Sequence, residues 1–244
     1  MSIAKSQFTS HNQLGSLSGS SADSQRKQCH AVLRGVAIVV ENRHDIVYLV
    51  QLGCFGKGSL SRSIPLELDR GEVLHLLYEE AMYLCSLQGL HCLSVSEADS
   101  NNVLGEEQLW LALIKLSASF PVNYAAYCCL RKSNWTPKSG LKFGADFAVY
   151  LKGPSFYHAR YSVIVIDNRQ CRKEQRGSSW SNAHCLMRTS HQVVKQTMLL
   201  YVSSDIDNAA SVSEQEWLHS TQIVCRIMKR WIPETDRELC TVQT

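Results

Sequence analysis

The chain has 244 residues, of which 45% are hydrophobic, and a formal net charge of +3. This length and composition exclude a disordered chain and allow one large or two small hydrophobic cores. No apolar run reaches the roughly 18 residues that a membrane span needs, and the first residues lack the apolar stretch of a secretory signal peptide. We therefore expect a soluble intracellular protein with no membrane span.

The charge is distributed unevenly along the chain. Between Pro121 and Leu200 lie 12 Lys or Arg and 3 Asp or Glu, so this stretch, here called the basic window, carries a net charge of +9. The rest of the chain carries −6. Clustered cations favour a polyanionic partner, and a nucleic-acid backbone is the commonest one. The alternative is a solvated basic face without a partner.

The N-terminal part combines a polar tail with predicted strands. Residues 1–28 are Ser-rich, polar and aperiodic, which predicts a disordered tail. The segments 31–41 and 46–52 are rich in β-branched residues and are joined by a polar connection. They predict a hairpin or two neighbouring strands.

A switch to helical spacing follows. Apolar residues between 68 and 87 recur at intervals that predict one helix, with Asp69 as its N-cap and Gly89 closing it. Residues 91–96 are a short strand candidate. The polar stretch 97–105 is the predicted domain boundary.

The C-terminal half alternates predicted helices, turns and strands. Helices are predicted at 106–119, 121–132 and 179–193, strands at 147–151, 161–167, 196–203 and 221–231, a turn at 134–140 and a basic loop at 168–177. The last strand is compatible with a sheet interior or with an edge that meets a partner.

This order of elements predicts an α/β fold of the mixed (α+β) kind. A small N-terminal mixed α/β domain is expected at 29–100. A C-terminal domain is expected at 106–233, with a central mixed β-sheet flanked by helices, and a short tail at 234–244 follows it.

The 10 cysteines do not form a metal-binding pattern. No C-x-x-C pair occurs, and several cysteines fall on predicted apolar faces, where a thiol behaves as a small hydrophobic group. The 3 acids of the basic window are too few for the carboxylate cluster with which a nuclease holds magnesium. We expect neither a metal site nor a cofactor.

RNA can be cleaved without a metal, because its own 2′-hydroxyl can attack the adjacent phosphate. The reaction needs a base for that hydroxyl, an acid for the departing 5′-oxygen and a cation beside the phosphate. Tyr150, His158 and Lys195 are the candidates in the basic window. A turn at Gly153 and Pro154 would bring Tyr150 and His158 to one end of a hairpin, and Lys195 would join them if its strand pairs nearby. Each residue also has an interpretation without catalysis: Tyr150 packs at a strand end, His158 is solvated in a loop, and Lys195 complements a helix dipole.

Two motifs point to a known family. Residues 140–165 read GLKFGADFAVYLKGPSFYHARYSVIV, and residues 188–202 read RTSHQVVKQTMLLYV. The first segment contains G-x-K-F-G-x-D-F-x-x-Y, G-P and H-x-x-Y-x-V-x-V, and the second contains R-x(6)-K before a strand. Together these motifs resemble the catalytic domain of the tRNA-splicing endonuclease (tRNA-intron endonuclease) family. The resemblance extends from about residue 107 to residue 233 and implies that the C-terminal domain is a nuclease domain.

The resemblance implies a role for each of the three candidates. Tyr150 matches the general base of the family, His158 its general acid and Lys195 its transition-state cation. The implied products carry a 2′,3′-cyclic phosphate and a 5′-hydroxyl. Free tyrosine titrates at about pH 10, so we expect the Lys195 ammonium to favour the phenolate of Tyr150.

Further basic residues are candidates for binding RNA. Arg188 matches a family arginine that sandwiches a flipped base, and guanidinium planes stack on bases; a charge on a helix surface is the alternative. Lys142 and Arg160 are predicted RNA contacts. Asp146 is predicted to be structural, bonding backbone amides or a basic side chain.

The motif Y-x-K-G-P-x-F-Y-H-A-x-Y-S-V is more similar to the eukaryotic catalytic subunit that cuts the 5′ splice site than to the one that cuts the 3′ site. The resemblance implies precursor tRNA as substrate, the other subunits of a heterotetramer as partners, and a nuclear location, or a cytoplasmic or outer-mitochondrial-surface location in some organisms.

Two alternatives stay open. A non-catalytic architectural subunit of the same complex is expected to lack one of Tyr150, His158 and Lys195, and all three are present. A general RNA-binding module would bind without cutting, and neither an RRM nor a KH signature occurs in the chain.

Overall fold

The structure is a computed structural model and describes residues 3–4, 27–60, 72–87, 89–98, 102–169, 185, 188 and 195–228. The strands are β1 Ile3–Ala4, β2 Cys29–Arg34, β3 Ala37–Val40, β4 Lys57–Gly58, β5 Leu74–Leu76, β6 Leu93–Glu97, β7 Val103–Leu104, β8 Thr136–Ser139, β9 Phe147–Tyr150, β10 Tyr161–Asp167, β11 Gln196–Ser204 and β12 Thr221–Met228. The helices are α1 Arg43–Gly53, α2 Tyr78–Cys85, α3 Glu106–Leu116, α4 Phe120–Lys132 and α5 Glu214–Ser220, with single 3-10 turns at Leu141–Phe143 and Ala209–Ser211. The predicted α/β fold class is confirmed.

The strands form two six-stranded sheets that use different parts of the chain. The N-terminal sheet has the order β4-β5-β3-β2-β6-β7, and the C-terminal sheet has the order β1-β12-β11-β10-β9-β8. The C-terminal sheet is mixed, as predicted, because β10 runs parallel to β11 and antiparallel to β9. Helix α4 packs against β8, β10, β11 and β12 and so covers this sheet.

One cluster of buried side chains connects the two sheets through helices α2, α3 and α4. The rings of Trp110, Phe120 and Tyr124 contact one another at its centre. Buried Glu214 of α5 accepts hydrogen bonds from the Tyr124 hydroxyl at 2.6 Å and from Ser86 Oγ at 2.9 Å. The carboxylate therefore connects α5 to α4 and to the end of α2.

A partly buried ammonium makes a second connection between the two sheets. Lys138 of β8 reaches the loop after α1, where its Nζ donates to the carbonyls of Cys54 at 2.6 Å and Gly56 at 2.7 Å and to Glu80 Oε1 at 2.7 Å. Glu80 Oε2 accepts from the backbone amides of Gly56 and Leu77, both at 3.1 Å. We call these groups the Lys138 network. The Glu80 side chain is only 1% exposed, so its charge needs a partner.

Segment 46–52, predicted to be a strand, is helical and lies inside α1. Ile46, Leu49 and Val50 are its buried residues, at the i, i+3 and i+4 spacing of a helix face. The strand prediction was wrong because it followed the β-branched composition rather than this spacing. The predicted hairpin forms instead within 31–41, where β2 and β3 pair antiparallel.

The helix predicted at 68–87 is shorter than expected. Within this segment, Leu74–Leu76 form strand β5 rather than helix, and helix α2 begins after it with Leu77 at its N-cap. The predicted cap Asp69 lies outside the described residues. Gly89 does not close the helix, since α2 ends at Cys85. A Cβ at Gly89 would collide with the carbonyl oxygen of Tyr83, so glycine allows this close approach of the backbone.

The predictions for the C-terminal half agree better with the structure. The helices predicted at 106–119 and 121–132 correspond to α3 and α4, and the strands predicted at 147–151, 161–167, 196–203 and 221–231 correspond to β9, β10, β11 and β12. In the N-terminal part, the strand predicted at 91–96 corresponds to β6. The turn predicted at 134–140 contains strand β8, and α5 was not predicted.

Some sequence predictions fall mostly or wholly outside the described residues. Of the helix predicted at 179–193, Cys185 and Arg188 are described and helical. Most of the loop predicted at 168–177 and all of the tail at 234–244 lie outside. Within the predicted N-terminal tail, Ile3–Ala4 pairs with the end of β12 at Ile227 and Met228. Among the described residues, no helix combines the length and the apolar character of a membrane span.

We expect the Lys138 network to contribute strongly to stability. Lys138→Met leaves the buried Glu80 carboxylate without its cation, and breaking a buried ion pair from one side costs roughly 3–5 kcal/mol. Urea unfolding of the purified chain should therefore show a fall of about 3 kcal/mol in the free energy of unfolding. Lys115→Met, at an exposed lysine of α3, is the matched control and should change it by less than about 0.5 kcal/mol. Equal stability of the two variants would contradict the assignment.

Candidate active site

A hairpin carries two of the three candidate residues. Strands β9 and β10 pair antiparallel, with Val149 opposite Tyr161, so the chain reverses between Tyr150 and Tyr161. The predicted turn is present: Gly153 has φ +129 and its carbonyl accepts from the amides of residues 156 and 157, both at 3.2 Å. His158 is exposed in this loop, which spans 151–160.

The third candidate joins the hairpin through the parallel strand β11. Gln196 lies opposite Tyr161, and its amide donates to the carbonyl of Arg160 at 3.2 Å. The Arg160 amide in turn donates to the carbonyl of Val149 at 2.9 Å. Tyr150, Arg160 and Lys195 therefore occupy corresponding positions at the same end of three adjacent strands. Strands lie about 4.8 Å apart, so the backbones of Tyr150 and Lys195 are separated by roughly 10 Å.

The three candidates are brought to one end of the sheet by their backbones. Tyr150, His158 and Lys195, all within the described residues, make no hydrogen bond to one another. The strand ends thus carry a phenol, an imidazole and an ammonium, the kinds of group that the predicted cleavage needs. Of the predicted RNA contacts, Arg160 lies at this end, and Lys142 lies in the turn before β9 with its charge near Lys195; both are exposed.

Arg188 is placed less closely. It is helical and exposed, and the residues on both sides of it lie outside the described part of the chain. No contact within the described residues joins it to Tyr150 or Lys195. Its role as an RNA contact stays a prediction.

The ammonium of Lys195 lies on an aromatic ring. Its Nζ is 3.4 Å from the centroid of Phe143, and Lys142 Nζ is 5.9 Å from the same centroid. Burial, together with repulsion from Lys142, lowers the pKa of Lys195 from its usual value. Sequence reasoning gave Phe143 no role, although the residue stands in the K-F-G part of the motif.

Tyr150 does not behave as expected. The phenol is half-buried, and burial raises the pKa of Tyr150 above that of free tyrosine. The expectation that the Lys195 ammonium would favour the phenolate is therefore wrong for the free chain. The raised pKa favours the phenol, the form that keeps its proton, so the free chain does not stabilise the basic form of Tyr150.

The loop that carries His158 is packed against the N-terminal part of the chain. Cys54, the residue after α1, has its Sγ 3.8 Å from the carbonyl of Lys152. A Cβ at Gly153 would lie 2.6 Å from the same Sγ, so the glycine is needed for this contact as well as for its positive φ. Sequence reasoning could not find this contact, because the partners are distant in the chain.

Asp146 is structural, as predicted. Its Oδ2 accepts a hydrogen bond from the amide of Val165 at 2.9 Å, which fixes the start of β9 against β10. Among the residues that the structure describes, no group of three or more His, Cys, Asp or Glu side chains is arranged to hold a metal ion.

Comparison with known proteins agrees with this geometry. Residues 120–209 match the family model described as tRNA intron endonuclease, catalytic C-terminal domain. This match contains all three candidates and Phe143.

Three relatives illustrate the range of the similarity. The mouse tRNA-splicing endonuclease subunit Sen2 is 35% identical over 170 residues, which cover 68% of this chain and 36% of the relative. The Arabidopsis thaliana subunit Sen2-1 is 31% identical over 185 residues, or 76% of this chain and 73% of the relative. The tRNA-splicing endonuclease of the archaeon Saccharolobus islandicus is 34% identical over 140 residues, or 56% of this chain and 73% of the relative.

The alignments differ in how much of each relative they cover. The chain spans about a third of the length of the mouse relative. It spans about half of a rice relative named as a probable tRNA-splicing endonuclease subunit Sen2, to which it is 35% identical over 166 residues. It spans nearly three quarters of the Arabidopsis relative, at an identity above 30%. Together with the matched domain model and the convergence of the three strand ends, this similarity places the chain in the tRNA-splicing endonuclease family.

Proposed function

We propose that the chain is a catalytic subunit of a tRNA-splicing endonuclease, which cuts precursor tRNA at an intron boundary in a complex with other subunits. The observation that supports it most is the convergence of Tyr150, His158 and Lys195 at one end of β9, β10 and β11. An architectural subunit would not need these three chemically different groups at one place.

The proposed reaction is an attack of the RNA 2′-hydroxyl on the adjacent phosphate. Tyr150 accepts the proton of that hydroxyl as the new O–P bond forms. His158, in its protonated form, gives a proton to the 5′-oxygen as the old P–O bond breaks. The Lys195 ammonium stabilises the charge that develops on the phosphate oxygens. The two ends left behind are a 2′,3′-cyclic phosphate and a 5′-hydroxyl.

The 5′ splice site is the proposed boundary. Its support is the motif around His158, which resembles the subunit that cuts this site, and the similarity to relatives named Sen2. Cutting without a metal is supported by the candidate groups themselves, which are a phenol, an imidazole and an ammonium rather than carboxylates.

The reacting groups can be tested one at a time in the assembled complex. We expect His158→Ala and Lys195→Ala each to slow cutting at one boundary at least about 100-fold, because a general acid or a charge-stabilising group contributes this much. Binding of precursor tRNA should stay nearly intact. Gel analysis of cleavage by the variants should show the 5′ exon still joined to the intron while the 3′ exon is released.

Matched controls are available in the same chain. His219→Ala and Lys115→Ala change an exposed histidine of α5 and an exposed lysine of α3, both away from the strand ends, and should cut like the unmodified complex. Unchanged cleavage by His158→Ala and Lys195→Ala would instead fit the architectural subunit. Loss of the 3′ cut rather than the 5′ cut would contradict the proposed boundary.

Metal independence and the nature of the ends can be tested together. We expect cleavage to continue in EDTA, because no step of the proposed reaction uses a metal. Mass spectrometry of the 5′ exon should give a 3′ end lighter by one water than a linear monophosphate. Cleavage that stops under chelation and returns with added metal would overturn the mechanism.

The pH dependence follows from the environment of Lys195. Since the pKa of Lys195 is lowered, its charged form exists below that pKa and is lost as the pH rises through it. We therefore expect the single-turnover rate to fall at alkaline pH. Tyr150 gains its basic form as the pH rises and cannot cause the fall, but the general acid must also keep its proton, so the test is the difference between two proteins. In Lys195→Arg the guanidinium stays charged, so its pH profile should lose the contribution of Lys195 and extend to higher pH. Identical profiles of the two proteins would be evidence against the role of Lys195.

A further inference from the structure

The side chain of Lys195 is held by an aromatic ring rather than by an anion. A distance of 3.4 Å between Nζ and the ring centroid of Phe143 is well inside the roughly 6 Å at which a cation is attracted to a ring face. Within the described residues, no carboxylate lies at ion-pair distance from this ammonium. The ring is therefore the group that fixes the ammonium in this part of the chain.

The ring itself stands on a fixed piece of backbone. Phe143 ends a 3-10 turn in which its amide donates to the carbonyl of Gly140 at 2.7 Å, and the next residue, Gly144, is left-handed with φ +68. The Gly140 amide donates to the carbonyl of Asp146 at 3.0 Å, and Asp146 is bonded to β10. A flexible lysine side chain thus rests on a surface whose position is set by the sheet.

The charge shown to act on Lys195 is of its own sign. Lys142, from the same 3-10 turn as Phe143, repels the Lys195 ammonium. Among the described residues, the hairpin carries Arg160, His158 and Tyr150 at the strand ends, and Asp146 follows the turn with its carboxylate bonded to the amide of Val165. Repulsion from Lys142 would move the Lys195 ammonium away from the site. The negative face of the ring opposes that repulsion.

We propose that Phe143 is a positioning residue for Lys195, its ring fixing the place from which the ammonium would meet the phosphodiester. This inference rests on the proposed function and assigns a residue that it does not include. A carboxylate in this place would bind the ammonium more strongly but would also cancel its charge. A ring holds the cation and leaves that charge available to an incoming phosphate. Phe143 does not touch the reacting atoms.

The test in the assembled endonuclease uses Phe143→Leu, which keeps an apolar side chain but removes the ring. We expect kcat for precursor tRNA to fall about tenfold, as expected for the loss of a partly buried cation–ring contact. KM should change by less than about twofold, since binding of the rest of the RNA is retained. The alkaline loss of rate should move to lower pH, because the ring no longer favours the charged form. Phe143→Tyr, which restores a ring, should recover the kcat and the pH profile.

The matched control is Leu141→Ala, in the same turn. Leu141 is 83% exposed and makes no contact with Lys195 among the described residues. We expect this variant to match the unmodified protein in kcat, KM and pH profile. A fall in its kcat equal to that of Phe143→Leu would overturn the proposal, because a disturbed turn would then explain both.

A second measurement does not depend on cleavage. Competitive acetylation of the full chain, read by mass spectrometry over a pH series, reports how much of each lysine is a free amine. In Phe143→Leu the acetylation of Lys195 should increase relative to exposed Lys57, and in Phe143→Tyr it should not. Phe143→Met serves as a further ring-free variant should Phe143→Leu fail to fold by circular dichroism.

The outcomes separate this inference from the proposed function. Suppose that Lys195→Ala and His158→Ala do not cut, but that kcat and the acetylation of Lys195 are unchanged in the ring-free variants. This result would overturn the role of Phe143 alone. Normal cleavage by Lys195→Ala and His158→Ala would overturn the proposed function, whereas the acetylation measurement would still report whether the ring holds the ammonium.

Discussion

A partly buried ammonium connects the two sheets and fixes the loop against which the candidate site packs. Lys138 enters from the C-terminal sheet and donates to two carbonyls of the loop after α1 and to Glu80, which is itself bonded to two backbone amides. Such a network is stable only when all its members are present, because a single buried charge without a partner is costly. The network thereby fixes the loop containing Cys54, against which the loop that carries His158 packs.

The cations of the basic window do not all serve one purpose. Lys138 is bonded to Glu80, which lies outside the window, and to two backbone carbonyls. Arg131 donates to the Tyr127 hydroxyl and to the carbonyl of Gly53. The charge offered to a polyanion is therefore smaller than the count of +9 indicates. What matters for a phosphate is the local concentration of Lys152, Arg160 and Lys195 around the strand ends, with Lys142 near Lys195; no acidic side chain among the described residues forms an ion pair with these four.

Sequence reasoning succeeded where the signal was local and failed where it was not. The glycine-proline turn and the apolar alternation around it predict that Tyr150 and His158 share a hairpin, and the apolar run after Lys195 predicts β11. The contact of Lys195 with Phe143 depends on how a turn before β9 folds towards the start of β11, which no local pattern encodes. Lys138 was one of the cations counted in the basic window, and nothing near it in sequence reveals its partners. The strand predicted inside α1 shows that composition alone is a weaker guide than the spacing of apolar residues.

The contact between Cys54 and Gly153 bears on how short a fragment of the chain could carry out the proposed reaction. The residues that match the family model begin at 120 and contain every group of the proposed reaction. A fragment of that length would lack Cys54, against which the loop that carries His158 packs. It would also lack the carbonyls of Cys54 and Gly56, which accept hydrogen bonds from Lys138. We therefore expect that a fragment containing all the proposed reacting residues is not sufficient for the proposed cleavage. The N-terminal sheet acts as scaffold for a reaction to which it contributes none of the proposed reacting groups.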